Sequence, residues 1–390
     1  MKRMKLNNLK RLDVLGIFVL FFVLFFLIIR YVSFQDIRTH ALYATEMLSG
    51  KRPISGNFLF YLLVNLFSGF STKKIPSLVS ICFLIALAET LRYYLSKKYI
   101  LKVLNTSTNF VNKYAVSVLS AIALLFIFSI PIPVYPLNHV FYRGSFAPNV
   151  WHNSTILFVF PFSILLFYLS YKQLRESTMK RNYWITLLIL LNIFIKPSYF
   201  FVFTCVYPLF LFYKYQFKKE FWVNMIPVIV GLFCLLFEYY IIYKLTPHDT
   251  AETSGVILKP FYESMTFSEI WHLPVSFVFS LLFPIIYTIL NFSKIIKNEL
   301  FWLMIITEIV SVLIYLFIVE SGSRATDGNF YWQIVVTTWL CFFVSFVALL
   351  KDFGNEGFIP KNKLLFIVYI FHLAIGLVYY IRLFVVQTYC

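Results

Sequence analysis

The chain has 390 residues, of which 60% are hydrophobic and 13% are charged. Soluble domains carry about a quarter charged residues, so water is not the main solvent of this chain. Backbone groups in hydrocarbon must be satisfied within their own segment, and the long unbroken apolar runs lack the alternation of a barrel strand. We therefore expect an all-α, polytopic transmembrane helical bundle that forms one integral membrane domain over residues 1–390.

Apolar runs long enough to span a bilayer recur along the chain. They predict helices near residues 13–34, 75–96, 114–135, 154–171, 220–243, 273–292, 299–319, 331–350 and 364–382. The segment from Asn57 to Phe70 is short and amphipathic, which predicts a helix at the interface. The segment from Ile185 to Tyr213 is too long for one span and contains Lys196 and Pro197, which predicts two short helices meeting at a polar break. These segments together predict about 11 spans.

The formal net charge of +17 is spread between the apolar runs rather than clustered, which argues against nucleic-acid binding. Most of the lysines and arginines lie in alternate connecting segments, and the positive-inside rule places those segments in the cytoplasm. The N-terminus is then cytoplasmic and the C-terminus outside. The predicted outer segments are residues 35–74, 136–153, 244–272 and 320–330. Abundant Lys, Ile, Phe and Asn suggest an AT-rich bacterial genome, so we expect a bacterial cytoplasmic membrane with the active face outside.

The first outer segment places Asp36 at the mouth of the first helix. A carboxylate there can take a proton from an acceptor hydroxyl, and His40 would lie one turn away on the same helix face. Arg38 lies between them. The alternative is that Asp36 is an ordinary solvated residue at a helix end.

The second outer segment is dense in hydrogen-bonding side chains, a mixture suited to gripping a sugar or a phosphate. Its candidates are Arg143, Asn149, Trp151 and His152. Trp151 is equally typical of an aromatic anchor at the membrane interface. Asn153 begins a match to the N-glycosylation pattern, which is common by chance.

Two cations in the later part of the chain are candidates for binding a lipid phosphate. Lys196 is flanked by long apolar stretches and followed by Pro197, and a charge at membrane depth usually faces a cavity or a counter-ion. Its alternative is snorkelling to the interface. Arg324 offers a guanidinium that can bind a phosphate through two bonds, and Glu320 or Asp327 are its alternative partners.

Three acids lie within predicted spans. Glu89 is three residues before Arg92, which is the spacing of a neutralised helical pair. Glu238 and Glu308 have no partner in the sequence pattern, and buried carboxylates can mark proton or ion paths. A transporter therefore remains an alternative.

This layout resembles the multi-spanning glycosyltransferases of the C-type fold (GT-C), which take sugars from polyprenyl-phosphate carriers. The matching features are Asp36 with Arg38 and His40, the interfacial helix from Asn57 to Phe70, and the helix break at Lys196, Pro197 and Ser198. The resemblance implies that Asp36 is the catalytic base. Many members carry an adjacent acidic pair in that loop, whereas Asp36 has no acidic neighbour. One carboxylate with one histidine is a poor site for a hard cation, so we expect no metal and no other cofactor.

The sequence thus predicts a hexosyltransferase of cell-wall polysaccharide biosynthesis, moving a sugar from a polyprenyl-phosphate donor to a glycan, lipid-linked oligosaccharide or teichoic acceptor outside the membrane. Lys196, Arg324 and Arg143 would hold the departing lipid phosphate. The residues expected to orient sugar or acceptor are His40, Arg38, Asn149, Trp151, His152 and Asn329.

Two alternatives stay open at this point. A polysaccharide polymerase or ligase with lipid-pyrophosphate donors would depend on Arg143, Arg324 and His152. A flippase or transporter of a lipid-linked saccharide would need a polar path through the bundle, and a proton-coupled carrier would depend on Glu238 or Glu308 rather than on the outer segments.

Overall fold

A computed structural model describes residues 2–33, 36–106, 110, 112–131, 145–245, 255–261, 272–325 and 328–387. Its first helices are α1 (Lys2–Tyr31), α2 (Asp36–Leu48), α3 (Phe58–Phe67), α4 (Lys74–Leu104), α5 (Lys113–Phe126), α6 (Ser154–Arg175), α7 (Met179–Ile195), α8 (Ser198–Tyr215) and α9 (Lys219–Tyr240). The second half contains α10 (His272–Ser280), α11 (Leu282–Leu290), α12 (Phe292–Ile295), α13 (Glu299–Phe317), α14 (Trp332–Glu356) and α15 (Pro360–Val386). A π turn (Ile241–Leu245) extends α9, and the strands are β1 (Gly255–Leu258) and β2 (Ile318–Ser321).

The prediction of a helical membrane bundle is confirmed. Within the described residues, seven helices are long and apolar enough to cross a membrane: α1, α4, α6, α9, α13, α14 and α15. The pair α10 and α11, bent by 71°, could make an eighth span. This number is lower than the predicted count of about 11. The three remaining predicted spans are helices α5, α7 and α8, which have only 14, 17 and 18 residues, against the roughly 20 apolar residues of a span.

The break predicted at Lys196 and Pro197 is confirmed, with α7 ending at Ile195 and α8 beginning at Ser198. The segment predicted as an interfacial helix is helical: it is α3, which ends three residues before the predicted C-terminal end. The sequence did not predict helix α2, nor the antiparallel ribbon in which Val256 pairs with Glu320. This ribbon ties the segment after α9 to the segment after α13.

Helices α6 and α14 form the centre of the bundle, because 72% and 83% of the residues in their most apolar 18-residue stretches are buried. Helix α9 lies at the periphery, where the same fraction is 22%. Helix α8 packs along α9 on one side and along α13 on the other. These three helices frame the end of the molecule that carries Asp36, Lys196 and Arg324, which is the outer end in the predicted topology.

A buried ion pair fixes the centre of the bundle. Arg92 lies 3.3 Å from Glu89, as the spacing predicted, and both side chains are 1% exposed. The Arg92 guanidinium also stacks on the ring of Phe160 at 3.8 Å and donates to Asn149 at 2.5 Å. Charges at membrane depth are tolerated when paired in this way, so we assign these residues a structural role.

Candidate active site

A cavity of about 410 Å³ lies at the outer end of the bundle. Helices α8, α9 and α13 form its walls, and the β1–β2 ribbon borders it. The apolar lining includes Phe201, Leu235, Leu236, Ile242, Ile314, Ile318 and Phe330. The polar lining includes Ser55, Asn57, Lys196, Glu238, Tyr239, Tyr243, Glu320, Arg324 and Asn329. This combination suits a ligand that is charged at one end and apolar at the other.

The cavity lies between α9 and α13. Both helices pack along α8, and among the described residues they contact each other at most weakly. Leu236 lines the cavity and is 63% exposed, on a helix that faces the surroundings along most of its length. A lipid chain can therefore lie in the gap while its headgroup reaches the polar lining.

Lys196 enters the cavity from the break between α7 and α8. Proline disfavours helical backbone in the residue before it, and Lys196 is indeed extended, with φ −167° and ψ 114°. Its side chain is buried, and Nζ lies 5.5 Å from the centre of the Trp332 ring. The N-terminus of α8 follows directly, so the helix dipole adds to the positive potential around Lys196. Both features favour an anion at this position.

Arg324 reaches the same cavity from the segment after β2. Its Nε donates to Glu320 Oε1 at 2.8 Å, and its guanidinium lies 5.6 Å from the Tyr243 ring. The Tyr243 hydroxyl donates to Glu320 Oε1 as well, and Asn329 Nδ2 donates to Oε2 at 2.5 Å. Glu320 is thus a buried anchor that holds Arg324 and Asn329 at the rim. The predicted pairing of Arg324 with Glu320 is confirmed, while Asp327 lies outside the described residues.

Asp36 is the first residue of α2, beside the cavity rather than in its lining. Asn153 Nδ2 donates to Asp36 Oδ2 at 3.0 Å. The Asn153 amide cannot turn away, because its Oδ1 accepts from the Ile156 amide at 3.2 Å and so caps α6. The N-terminus of α2 also favours a negative charge on its first residue. The carboxylate is therefore held in one orientation at the outer end.

His40 lies one turn after Asp36, as predicted, and shares a hydrogen bond of 2.7 Å between Nδ1 and the Tyr61 hydroxyl. Burial, followed by the positive charge of Lys196, lowers the pKa of His40 to about 4, and Asp36 opposes this shift. The imidazole is therefore neutral near pH 7. The same electrostatics show that His40 lies within range of both Asp36 and Lys196.

His152 and Trp332 connect the Asp36 region to the cavity. The His152 ring is 5.7 Å from the Trp332 ring, which is in turn the aromatic partner of Lys196. Burial lowers the pKa of His152, and the carboxylate of Asp36 partly offsets this. The site thus extends from Asp36 past His40 and Trp332 to Lys196.

Three residues predicted to bind sugar or acceptor are directed elsewhere. Asn149 is buried, accepts from Arg92 and donates to the Ile127 carbonyl at 2.7 Å. Trp151 is buried, its ring centre lies 6.1 Å from that of Phe128, and it is not part of the cavity lining. Arg38 Nη2 donates to the Ile29 carbonyl at 2.5 Å and so caps the end of α1.

These contacts explain why composition alone overestimates how many side chains of a predicted outer segment can bind a substrate. In the described residues before α6, Asn149 and Trp151 pack into the bundle, so these two side chains contact buried groups rather than a substrate. Arg143, the third predicted phosphate-binding residue, lies outside the described residues. Of the predicted site residues, the structure brings Lys196, Arg324 and Asn329 into one cavity, with Asp36, His40 and His152 beside it.

Sequence reasoning gave no role to Asn153, Trp332 or Tyr243, and gave Glu238 a role only in the transporter alternative. Asn153 was visible only as a glycosylation pattern, although an Asn before a helical apolar run is also a typical helix N-cap. Trp332 and Tyr243 carry no local signal, because their role depends on residues far away in the chain. Glu238 was recognised as a buried acid without a partner, and the structure places it in the cavity.

In the described part of the chain, no group of three or more His, Cys, Asp or Glu side chains lies together as a metal site would require. No family model matches this chain, and neither a curated protein nor a solved structure matches it.

Proposed function

We propose that this protein is a membrane glycosyltransferase of the C-type fold. It would move a sugar from a polyprenyl-phosphate donor to an acceptor outside the membrane, such as a cell-wall glycan, a lipid-linked oligosaccharide or a teichoic polymer. One observation supports this most: Lys196 and Arg324, far apart in the chain, line one cavity together with apolar side chains of α8, α9 and α13.

In the proposed reaction the donor's phosphate binds between Lys196 and Arg324, and its prenyl chain lies in the gap between α9 and α13. An acceptor hydroxyl oxygen forms the new bond to the anomeric carbon, and its proton passes to the carboxylate of Asp36. The bond between that carbon and the phosphate oxygen breaks, and the electron pair leaves with the lipid phosphate. The two cations stabilise the negative charge that develops on this phosphate. Removing one hydrogen-bond donor of this kind typically lowers the reaction rate by roughly 10²–10³.

The surroundings of Asp36 support its role as proton acceptor. Asn153 fixes one carboxylate oxygen, and a neutral His40 one turn away is suited to orient a hydroxyl by hydrogen bonding. Arg324 is held by Glu320, so the cation is in place before the donor arrives. Preorganised charges of this kind cost no reorganisation during the reaction.

The experiment is sugar transfer by purified protein from a panel of radiolabelled polyprenyl-phosphate sugars, comparing wild type with Asp36→Asn. General-base catalysis contributes typically about 10²–10⁴-fold, and we expect a loss of that size. Glu46→Gln is the matched control, because Glu46 lies on the same helix and makes only a partly exposed pair with Arg52 at 3.1 Å. Unchanged transfer by folded Asp36→Asn would remove Asp36 from the mechanism.

A further inference from the structure

Glu238 differs from the other acid of the cavity in offering an open oxygen. Glu320 receives hydrogen bonds on both oxygens from Arg324, Tyr243 and Asn329. Glu238 is 3% exposed, and in the part of the chain that the structure describes its Oε2 has no hydrogen-bond partner. A buried carboxylate oxygen without a partner is costly, so this position calls for a donor from the ligand.

The backbone around Glu238 is built to hold it in the cavity wall. It lies in the last turn of α9, immediately before the π turn Ile241–Leu245, a rare element that is frequent at functional sites. Gly56 crosses directly over it: a Cβ added there would lie 2.3 Å from Glu238 Cγ and 3.2 Å from Ile242 Cδ1. The missing side chain at Gly56 therefore allows the loop before α3 to press Glu238 into position.

The charges of the cavity constrain what it can bind. The cations Lys196 and Arg324 line the same cavity as the Glu238 carboxyl group. Glu320 already compensates Arg324 through a direct pair. A ligand with a phosphate alone would bring a second negative charge toward Glu238. A ligand that carries a phosphate and an ammonium group would complement both the cations and the open carboxylate.

We propose that the cavity selects a zwitterionic lipid headgroup, with its phosphate between Lys196 and Arg324 and its primary ammonium on Glu238. This inference rests on the proposed function where it concerns the donor, since the ammonium would then belong to an amino sugar on the polyprenyl phosphate. The same chemistry occurs in a phospholipid with a phosphoethanolamine headgroup. In both cases Glu238 makes a charge-assisted hydrogen bond to nitrogen.

The transfer arm of the test compares two donors on the same prenyl phosphate, an amino sugar and its hydroxyl analogue. We expect wild type to prefer the amino sugar by about tenfold or more, as a charge-assisted hydrogen bond allows. Glu238→Gln is expected to remove the preference, while Glu238→Asp keeps part of it. Equal use of the two donors by wild type, or a preference that survives in folded Glu238→Gln, would overturn the proposal for the donor.

The control is Glu308→Gln. Glu308 is equally buried on α13 and accepts from Thr338 at 3.0 Å, but it lines a separate cavity of about 230 Å³. Its substitution removes one intramembrane carboxylate without touching the outer cavity, so the donor preference is expected to remain. A preference lost equally in both variants would point to general destabilisation and count against a specific contact at Glu238.

The binding arm does not depend on catalysis. A fluorescent short-chain prenyl phosphate bound to the protein is displaced by short-chain phosphatidylethanolamine or by its N-acetylated analogue. Stronger displacement by the ethanolamine form in wild type, but not in Glu238→Gln, assigns the ammonium site to a phospholipid if no sugar is transferred. In that case the proposed function fails while this inference stands. Equal displacement by both forms, together with no amino-sugar preference, refutes the zwitterion site itself.

Discussion

Replacing Gly376 by alanine tests how the last helix packs against the rest of the bundle. A Cβ at this position of α15 would lie 1.6 Å from the carbonyl oxygen of Phe126 at the end of α5, a backbone atom that cannot move alone. The two helices must separate. That movement would also stretch two neighbouring hydrogen bonds, from the Phe128 amide to the His372 carbonyl at 3.2 Å and between His372 Nδ1 and the Phe128 carbonyl at 2.7 Å.

Overpacking and the loss of two buried hydrogen bonds together reduce the free energy of unfolding by about 2–6 kcal/mol. We expect the thermal midpoint of the purified protein in detergent, followed by fluorescence, to fall by about 4 °C or more. Gly16→Ala on α1 is the matched control, because a Cβ there meets nothing within 4 Å. Alanine in a helix interior is stabilising by roughly 0.5–1 kcal/mol, so its midpoint should hold or rise. Equal midpoints for the two variants would refute the packing of α15 on α5.

Three further predictions concern the site. Lys196→Gln is expected to lower kcat/KM for sugar transfer by roughly 10²–10³. Arg38→Gln removes a cation that caps α1 from α2, and it should leave kcat/KM within about threefold. Equal losses in the two variants would contradict the assignment of Lys196. Because burial and Lys196 lower the pKa of His40 to about 4 from 6.5, the unfolded chain holds more protons than the folded chain between these values, and stability rises with pH across that window. The unfolding midpoint of wild type should therefore rise from pH 4 to pH 6.5 more steeply than that of His40→Gln, and parallel curves would show that His40 is not perturbed. Asn149→Ala should lower the unfolding midpoint, since it removes the buried acceptor of Arg92 Nη2, and should leave KM for the donor unchanged. A raised KM at an unchanged midpoint would return Asn149 to the site.

The helical bundle and the two cations of the cavity could be predicted from the sequence because their signals are local. Long apolar runs predict helices from local sequence alone. A Lys-Pro pair between two such runs predicts a helix break, because proline disfavours helical backbone in the residue before it. Arg324 followed the same logic, since a cation beside Gly and Ser in an outer segment stands out from its surroundings.

The roles of the segment before α6 could not be predicted, because they depend on contacts across the bundle. Nothing near Asn149 reveals that Arg92 donates to it from 57 positions earlier in the chain. Trp151 has the composition of an interface anchor, yet its ring packs within the bundle against Phe128 and the last helix. The cavity itself depends on α9 and α13 both packing along α8, a tertiary arrangement that hydropathy does not contain.

The most direct test of the proposed function follows the fate of the lipid carrier. Purified wild-type protein is incubated with a doubly labelled polyprenyl-phosphate sugar, with and without a glycan acceptor, and the free lipid phosphate and the glycosylated acceptor are both quantified. We predict acceptor-dependent release of polyprenyl phosphate in equal amount to the sugar transferred, and we predict that replacing both Lys196 and Arg324 by glutamine abolishes this release. The proposed function would be contradicted if every polyprenyl-phosphate sugar tested stayed intact while the protein consumed lipid-pyrophosphate saccharides or moved them across a vesicle membrane.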